Sequence, residues 1–229
     1  MKAKKPVKEK KGKTETPRKE PFKSKTTEQK PEELKKQIME ATMRGDARMV
    51  VSLMDMGADA GEALLCACSY GKADIVKAMM DRGINVNRKV ETESPLGTAA
   101  SNGHADVVEL LLSDKKAEVD VREEQYNMTP LIMAAQKLVH NVMGMPEPKG
   151  GYARTVKLLL EAGADVDAQD KNGCTALILA SSRGYADIVK LLLDANADTS
   201  IEDKFEKTAL DYALKSNRTE VVKLLEGSS

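Results

Sequence analysis

Residues 175–200 read TALILASSRGYADIVKLLLDANADTS, and their spacing decides the fold. Ile188, Val189, Leu192 and Leu193 fall one, four and five positions apart, which puts them on one face of a helix. In the preceding segment Ala176 and Ala180 share a face, and their small size lets a neighbouring helix approach closely. Thr175 stands where an N-cap oxygen is wanted, and Asn196 stands just past the second apolar run, in the slot that suits a left-handed residue. The stretch therefore predicts a helix, a tight loop, a second helix and a turn.

Working outward, the same three signals recur in the same order from Pro31 onward. The second-helix signal begins at Gly45, Gly71, Gly103, Gly151, Gly184 and, with Asn in place of Gly, Asn217. These starts lie 26, 32, 48, 33 and 33 residues apart, a period of about 33 with one deletion and one insertion. The turn signal follows each second helix, as GADA at Gly57, GINVN at Gly83, AEVDV at Ala117, GADVDA at Gly163 and NADTS at Asn196. The first-helix signal appears as SPLGTAA from Ser94, TPLIMAA from Thr129, TALILAS from Thr175 and TALDYAL from Thr208. Proline is tolerated at a first helical position because no hydrogen bond is lost there. One such pair of helices cannot cover its own apolar face, whereas stacked pairs bury it continuously.

The TPL-x-x-AA, G-H and GADV stretches at this period resemble the ankyrin repeat family. The resemblance implies an all-α solenoid of about six stacked helix pairs, with β-turn fingers along one side of a concave surface. The units run about 31–60, 61–88, 89–121, 122–168, 169–201 and 202–226, with 227–229 as the C-terminal end. The family's histidine after T-P-L is replaced by Gly97, Ile132, Ile178 and Asp211. Its inter-repeat hydrogen bonds are therefore expected to be absent, and coupling between units somewhat weaker. The charged first unit and the Lys- and Glu-bearing last unit read as soluble caps that complete the array.

Catalytic and metal chemistry find little support. Cys66 and Cys68 form a C-x-C, but the remaining soft ligands, Cys174, His104 and His140, fall in other repeats. Small buried hydrophobes are the expectation for both. His104 occupies the G-H slot at a helix start, which reads as structural. Gly150 and Gly151 belong to no phosphate-loop motif, and no triad or carboxylate pair is apparent. The expectation is a non-enzyme without cofactor, metal or small-molecule substrate. Three cysteines cannot form a complete disulfide framework, and no apolar run spans a bilayer, so an intracellular protein, cytoplasmic or nuclear, is expected. Aromatic residues make up 3% of the chain, which disfavours a base-stacking surface or ring-lined cofactor pocket.

What the family resemblance implies instead is recognition of another protein by a monomer. Its partner-binding positions map onto finger residues Val90, Glu91, Glu93, Gln125, Tyr126, Met128, Lys171, Asn172, Cys174, Lys204, Phe205 and Lys207. On the inner helices they map onto Ser101, Asn102, Gln136, Lys137, Ser182, Arg183, Lys215 and Ser216. Tyr126, Met128 and Phe205 are either interface anchors or packing against the next finger. The insertion at 136–150 carries Leu138, Val139, Val142, Met143 and Met145 ahead of Pro146 and Pro148. It either folds back on the stack or meets a partner.

Charge is unevenly placed. Residues 1–30 hold 12 Lys or Arg against 4 Glu, and residues 31–229 hold 24 against 32, so a net of +8 faces a net of −8. The first 30 residues lack the apolar area to offset ordering and read as a disordered basic tail. Such a tail suits nucleic acid, anionic membrane or an acidic protein, resembles a nuclear-targeting stretch, and offers Thr14, Thr16, Ser24, Thr26 and Thr27 to phosphorylation.

Overall fold

A computed structural model describes residues 31–136 and 151–227. The basic segment 1–30, Lys137 with the rest of the insertion through 150, and residues 228–229 lie outside the described residues. Twelve helices are present among the described residues: α1 Pro31–Arg44, α2 Ala47–Asp55, α3 Ala60–Ser69, α4 Ala73–Met80, α5 Pro95–Ser101, α6 Ala105–Leu112, α7 Pro130–Gln136, α8 Gly151–Glu161, α9 Ala176–Arg183, α10 Ala186–Asp194, α11 Ala209–Lys215 and α12 Thr219–Glu226. The odd-numbered helices contact one another in sequence, as do the even-numbered ones, and each odd helix packs on its even partner. Two parallel rows result, an inner and an outer. Among the described residues the only β feature is a bridge between Val90 and Glu93.

Side-chain caps start the inner helices. Ser94, Thr129, Thr175 and Thr208 accept from the N–H groups of Gly97, Ile132, Ile178 and Asp211 at 3.1, 3.4, 3.2 and 3.3 Å. Each end closes by the same device. The residue after the loop glycine donates its N–H five residues back, as in Asp46 to Ala41, Lys72 to Ala67, His104 to Ala99, Tyr185 to Ala180 and Arg218 to Ala213, at 2.9–3.0 Å. This is the pattern of a left-handed helix terminus. Asn217, in the glycine slot of the last unit, indeed has φ 54°. The fourth unit departs from the expectation of a loop glycine: α8 begins at Gly151 itself, which is buried.

The core is a stripe of alanines and aliphatics. Ala63, Ala67, Ala99, Ala100, Ala134, Ala135, Ala176, Ala180 and Ala213 are fully buried where inner helices meet, and Ile188, Val189 and Leu192 close the outer row. Cys66 and Cys68 are free and buried within it, and burial pushes the Cys66 thiol up to about 11. Among the described residues no helix is long and apolar enough to cross a membrane.

Other residues make hydrogen bonds between units. The His104 ring donates from Nε2 to the Ser69 carbonyl at 3.0 Å, the Tyr152 hydroxyl to Ser101 at 3.2 Å, and Arg218 Nε to Ser182 at 3.3 Å. Each satisfies a carbonyl at the open end of the preceding inner helix. A second ladder runs along the turns: Asn87 accepts from the Glu118 N–H at 3.0 Å, Asp120 from Asp165 at 3.2 Å and Asp167 from Asp198 at 2.9 Å. The vacated histidine positions do local work. Asp211 completes a capping box with Thr208, and Gly97 leaves room for the Met133 sulfur, which lies 3.2 Å from where a Cβ would stand.

Candidate functional site

Three of the fingers between repeats are held by a carboxylate at the base, and the Val90–Glu93 finger by its own backbone bridge. Asp170 accepts from the N–H groups of Asn172 and Cys174 at 2.7 and 2.9 Å. Asp203 accepts from Phe205 and Lys207 at 2.9 and 3.2 Å and from the Tyr212 hydroxyl at 2.6 Å. Glu123 plays the same part for Gln125, Tyr126 and Met128. Burial alone would raise the Asp203 carboxyl, but the Tyr212 hydroxyl, the two N–H donors and the Lys207 charge together hold it below its ordinary value. The hydrogen bond to Asp203, with burial, pushes the Tyr212 phenol up to about 12. Successive fingers are then tied by backbone bonds, Lys171 N–H to the Tyr126 carbonyl at 2.8 Å and Lys204 N–H to Asn172 at 2.9 Å.

Beneath these fingers the inner helices leave a groove of about 680 Å³. It brings together Glu93, Ser101, Asn102, Gln125, Tyr126, Met128, Gln136, Asn172 and Cys174 of the predicted positions. Its lining includes the apolar Met128, Met133 and Leu179, the exposed Glu93 and the finger-base Glu123 and buried Asp170, with no Lys or Arg. Burial, with the charges of Asp170 and Asp203, pushes the Cys174 thiol up to about 12, so it remains protonated at neutral pH.

The other predicted positions lie apart from the groove. Val90 is half-buried, bridged to Glu93 and packed over Gly61, where a Cβ would meet its Cγ2 at 2.9 Å. Glu91 is exposed at its finger tip, with φ 54°. The Lys171 ammonium donates to the Glu124 and Gln125 carbonyls at 2.6 and 2.7 Å, within the finger ribbon. Arg183, Lys204, Lys207 and Lys215 are exposed further along, as is Phe205 at 72%. Ser182 receives the Arg218 bond and Ser216 ends α11. Lys137 lies outside the described residues.

Sequence reasoning found Met128 of the groove floor but missed Met133 and Leu179. Met133 and Leu179 occupy the same place in their units, four residues after Thr129 and Thr175, where Thr98 and Tyr212 stand in the others. That slot varies in size and chemistry while the alanines beside it do not, a signal that it faces away from the core. Among the described residues no cluster of three or more His, Cys, Asp or Glu side chains is placed to hold a metal ion.

Comparison with known proteins agrees with this architecture. The family model for ankyrin repeats (3 copies) matches residues 38–123 and 148–228, more than half of the chain. Ankyrin repeat and KH domain-containing protein 1 of Homo sapiens is 35% identical over 115 residues, 49% of this chain and 4% of that protein. Ankyrin repeat and KH domain-containing protein mask-1 of Caenorhabditis elegans is 32% identical over 119 residues, 52% of this chain and 4% of that protein. Serine/threonine-protein kinase 12 of Arabidopsis thaliana is 40% identical over 73 residues, 31% of this chain and 16% of that protein. The match thus spans only a small part of these relatives, and what it shares with them is the repeat architecture. With stacked helix pairs, six among the described residues, capped inner helices and tied fingers, this chain belongs to the ankyrin repeat family.

Proposed function

We propose that the chain is a non-catalytic protein-interaction module that holds a partner protein across its fingers and inner helices. Ankyrin repeats generally mediate contacts between proteins. The observation that carries the reading here is the groove, whose sulfur-rich lining opens between the fingers and inner helices of a fully packed stack. Met128, Met133 and Tyr126 supply adaptable apolar contact, and Asn102, Gln125 and Asn172 supply hydrogen bonds, the mix expected where one surface meets a folded or extended polypeptide. Phe205 extends this surface one finger further. The protein acts as a monomer inside the cell, without cofactor.

Capture of partners by the full-length chain tests the reading. Tyr126→Ala combined with Phe205→Ala, both exposed, should weaken capture by tenfold or more, about 1.4 kcal/mol, while the melting temperature stays within about 2 °C of wild type. Undiminished capture would refute it. The charge asymmetry favours a second reading, in which residues 1–30 anchor the protein to nucleoprotein, anionic membrane or an acidic polymer as part of a larger assembly. That attachment should dissolve in about 0.5 M salt, where the screening length falls to a few Å, while groove capture persists.

A further inference from the structure

Charge is not spread evenly along the finger and inner-helix face. On the second and third fingers Glu91, Glu93 and Glu124 are exposed, and the inner helices α3 and α5 end in Ser69 and Ser101. On the last two units the exposed groups are cations. Arg183 closes α9, Lys215 closes α11, and Lys204 stands on the last finger beside Phe205, which is 72% exposed. Among the described residues none of these three side chains makes an ion pair or a hydrogen bond. Arg218 joins them, because its Nε donates to the Ser182 carbonyl at 3.3 Å and its Cδ lies 2.7 Å from where a Cβ on Gly184 would stand. Its guanidinium therefore sits at the corner where α9 ends in Arg183.

Folding does not demand this charge. A helix C-terminus favours a cation, yet α3 and α5 make the same kind of terminus with serine. Nor does it follow from composition, since residues 31–229 hold 24 Lys or Arg against 32 Asp or Glu. The carboxylates nearby are largely committed. Asp203 is buried under the finger N–H groups and the Tyr212 hydroxyl, and Asp211 completes the capping box with Thr208. Both also feel the Lys207 charge, which leaves Glu206 as the exposed carboxylate of the last finger. Cations without partners around one exposed ring favour an occupant that carries negative charge and an apolar side chain. Among the exposed large apolar side chains of these two units Phe205 is the one ring, too few for successive bases to stack on, so a polypeptide fits better than a nucleic acid.

We infer that the last two units hold an acidic segment of the partner, its carboxylates on Arg183, Arg218 and Lys215 at the loop end and on Lys204 at the finger, and its apolar side chain on Phe205. The seven residues of α11 separate finger from loop by about 10 Å, so at about 3.3 Å per residue the segment has at least about four residues. Glu91, Glu93 and Glu124 repel the same segment from the earlier fingers and so fix where along the stack it lies. The inference deepens the proposed function and rests on it.

An NMR titration of the full chain with a peptide of four glutamates on each side of a leucine tests it. The backbone amide signals of Arg183, Lys204 and Lys215 should move and saturate, those of Lys190 and Lys223 on the outer helices should stay, and about 0.5 M salt should reverse the change. Followed at Phe205, the affinity should fall by about tenfold or more when Arg183, Lys204 and Lys215 are all changed to Gln, and by less than about twofold in the Lys190→Gln, Lys223→Gln control. Signals that move within residues 1–30 alone, or equal weakening in the control, would overturn the inference. So would a ten-nucleotide oligothymidylate that moves the same three signals at an equal or lower concentration, because the site would then take nucleic acid. Partner capture separates failure here from failure of the underlying reading. Capture lost in the Tyr126→Ala, Phe205→Ala chain, with the three signals silent toward the peptide, removes the acidic segment and leaves the recognition face standing. Capture undiminished in that chain removes the recognition face and this inference with it.

Discussion

Replacing Gly71 with alanine probes the contact that joins the second and third units. Gly71 has φ +64°, and a Cβ there would stand 2.6 Å from His104 Nδ1 and 2.9 Å from Cε1. Two costs add. An L-residue held in the left-handed region loses roughly 1–2 kcal/mol, and a methyl forced into a packed ring costs about 1–3 kcal/mol more. Gly57 provides the internal control, because it has φ +94° and nothing within 4 Å of its Cβ position, so Gly57→Ala carries the conformational cost alone. Urea denaturation of the two single variants should therefore place Gly71→Ala about 1–3 kcal/mol below Gly57→Ala. A double-mutant cycle sharpens the test. His104→Ala removes the ring and its bond to Ser69, and in that background Gly71→Ala should cost only the conformational part, a coupling of at least about 1 kcal/mol. Equal losses at Gly57 and Gly71, or strict additivity of Gly71→Ala with His104→Ala, would refute the reasoning that this ring is the inter-unit joint.

Other expectations follow from the same geometry. Burial lowers His104 below its ordinary value against the opposing bond from its ring to the Ser69 carbonyl, so the unfolded chain takes up a proton first as pH falls. Its contribution to stability is therefore complete above about pH 6.5 and is lost as pH drops below that, and His104→Asn should flatten the slope of stability against pH between about 7.5 and 5 in chemical denaturation. Thr175→Ala deletes the oxygen that caps α9 and should cost about 1 kcal/mol, whereas Thr175→Ser should cost distinctly less. Asp203→Asn removes the charge opposite Tyr212, so ultraviolet titration should find that phenol ionising at a lower pH than in wild type, where it is pushed up to about 12. An unshifted tyrosine titration would contradict the assigned pair.

Much of the fold was legible because each unit repeats its own grammar. Thr175 as cap, Asn196 and Asn217 as left-handed residues and Ala176 with Ala180 as the close-packed face all follow from local sterics and hydrogen bonding, which a spacing reveals. The joints between units were not legible. His104, Tyr152 and Arg218 reach carbonyls 35, 51 and 36 residues away, and no local pattern shows that a residue after a loop glycine will lie over the preceding unit. At the site, finger tips were visible but their roles were not. Tyr126 and Lys171 are close in the repeat frame, yet Tyr126 lines the groove and the Lys171 ammonium serves the finger backbone. Met133 was hidden inside an apolar run that reads as core throughout, although its slot faces the groove.

The carboxylates at the feet of three fingers have an implication for variation. Asp170, Asp203 and Glu123 fix loop shape chiefly through main-chain N–H groups, with the Tyr212 hydroxyl and the Cys174 thiol added at Asp203. The course of the loop is thus indifferent to which side chains project from its crest. Amino-acid exchange at positions such as Gln125 or Phe205 should re-tool what the protein grips while the mounting beneath stays unaltered, so affinity and folding can diversify along separate routes.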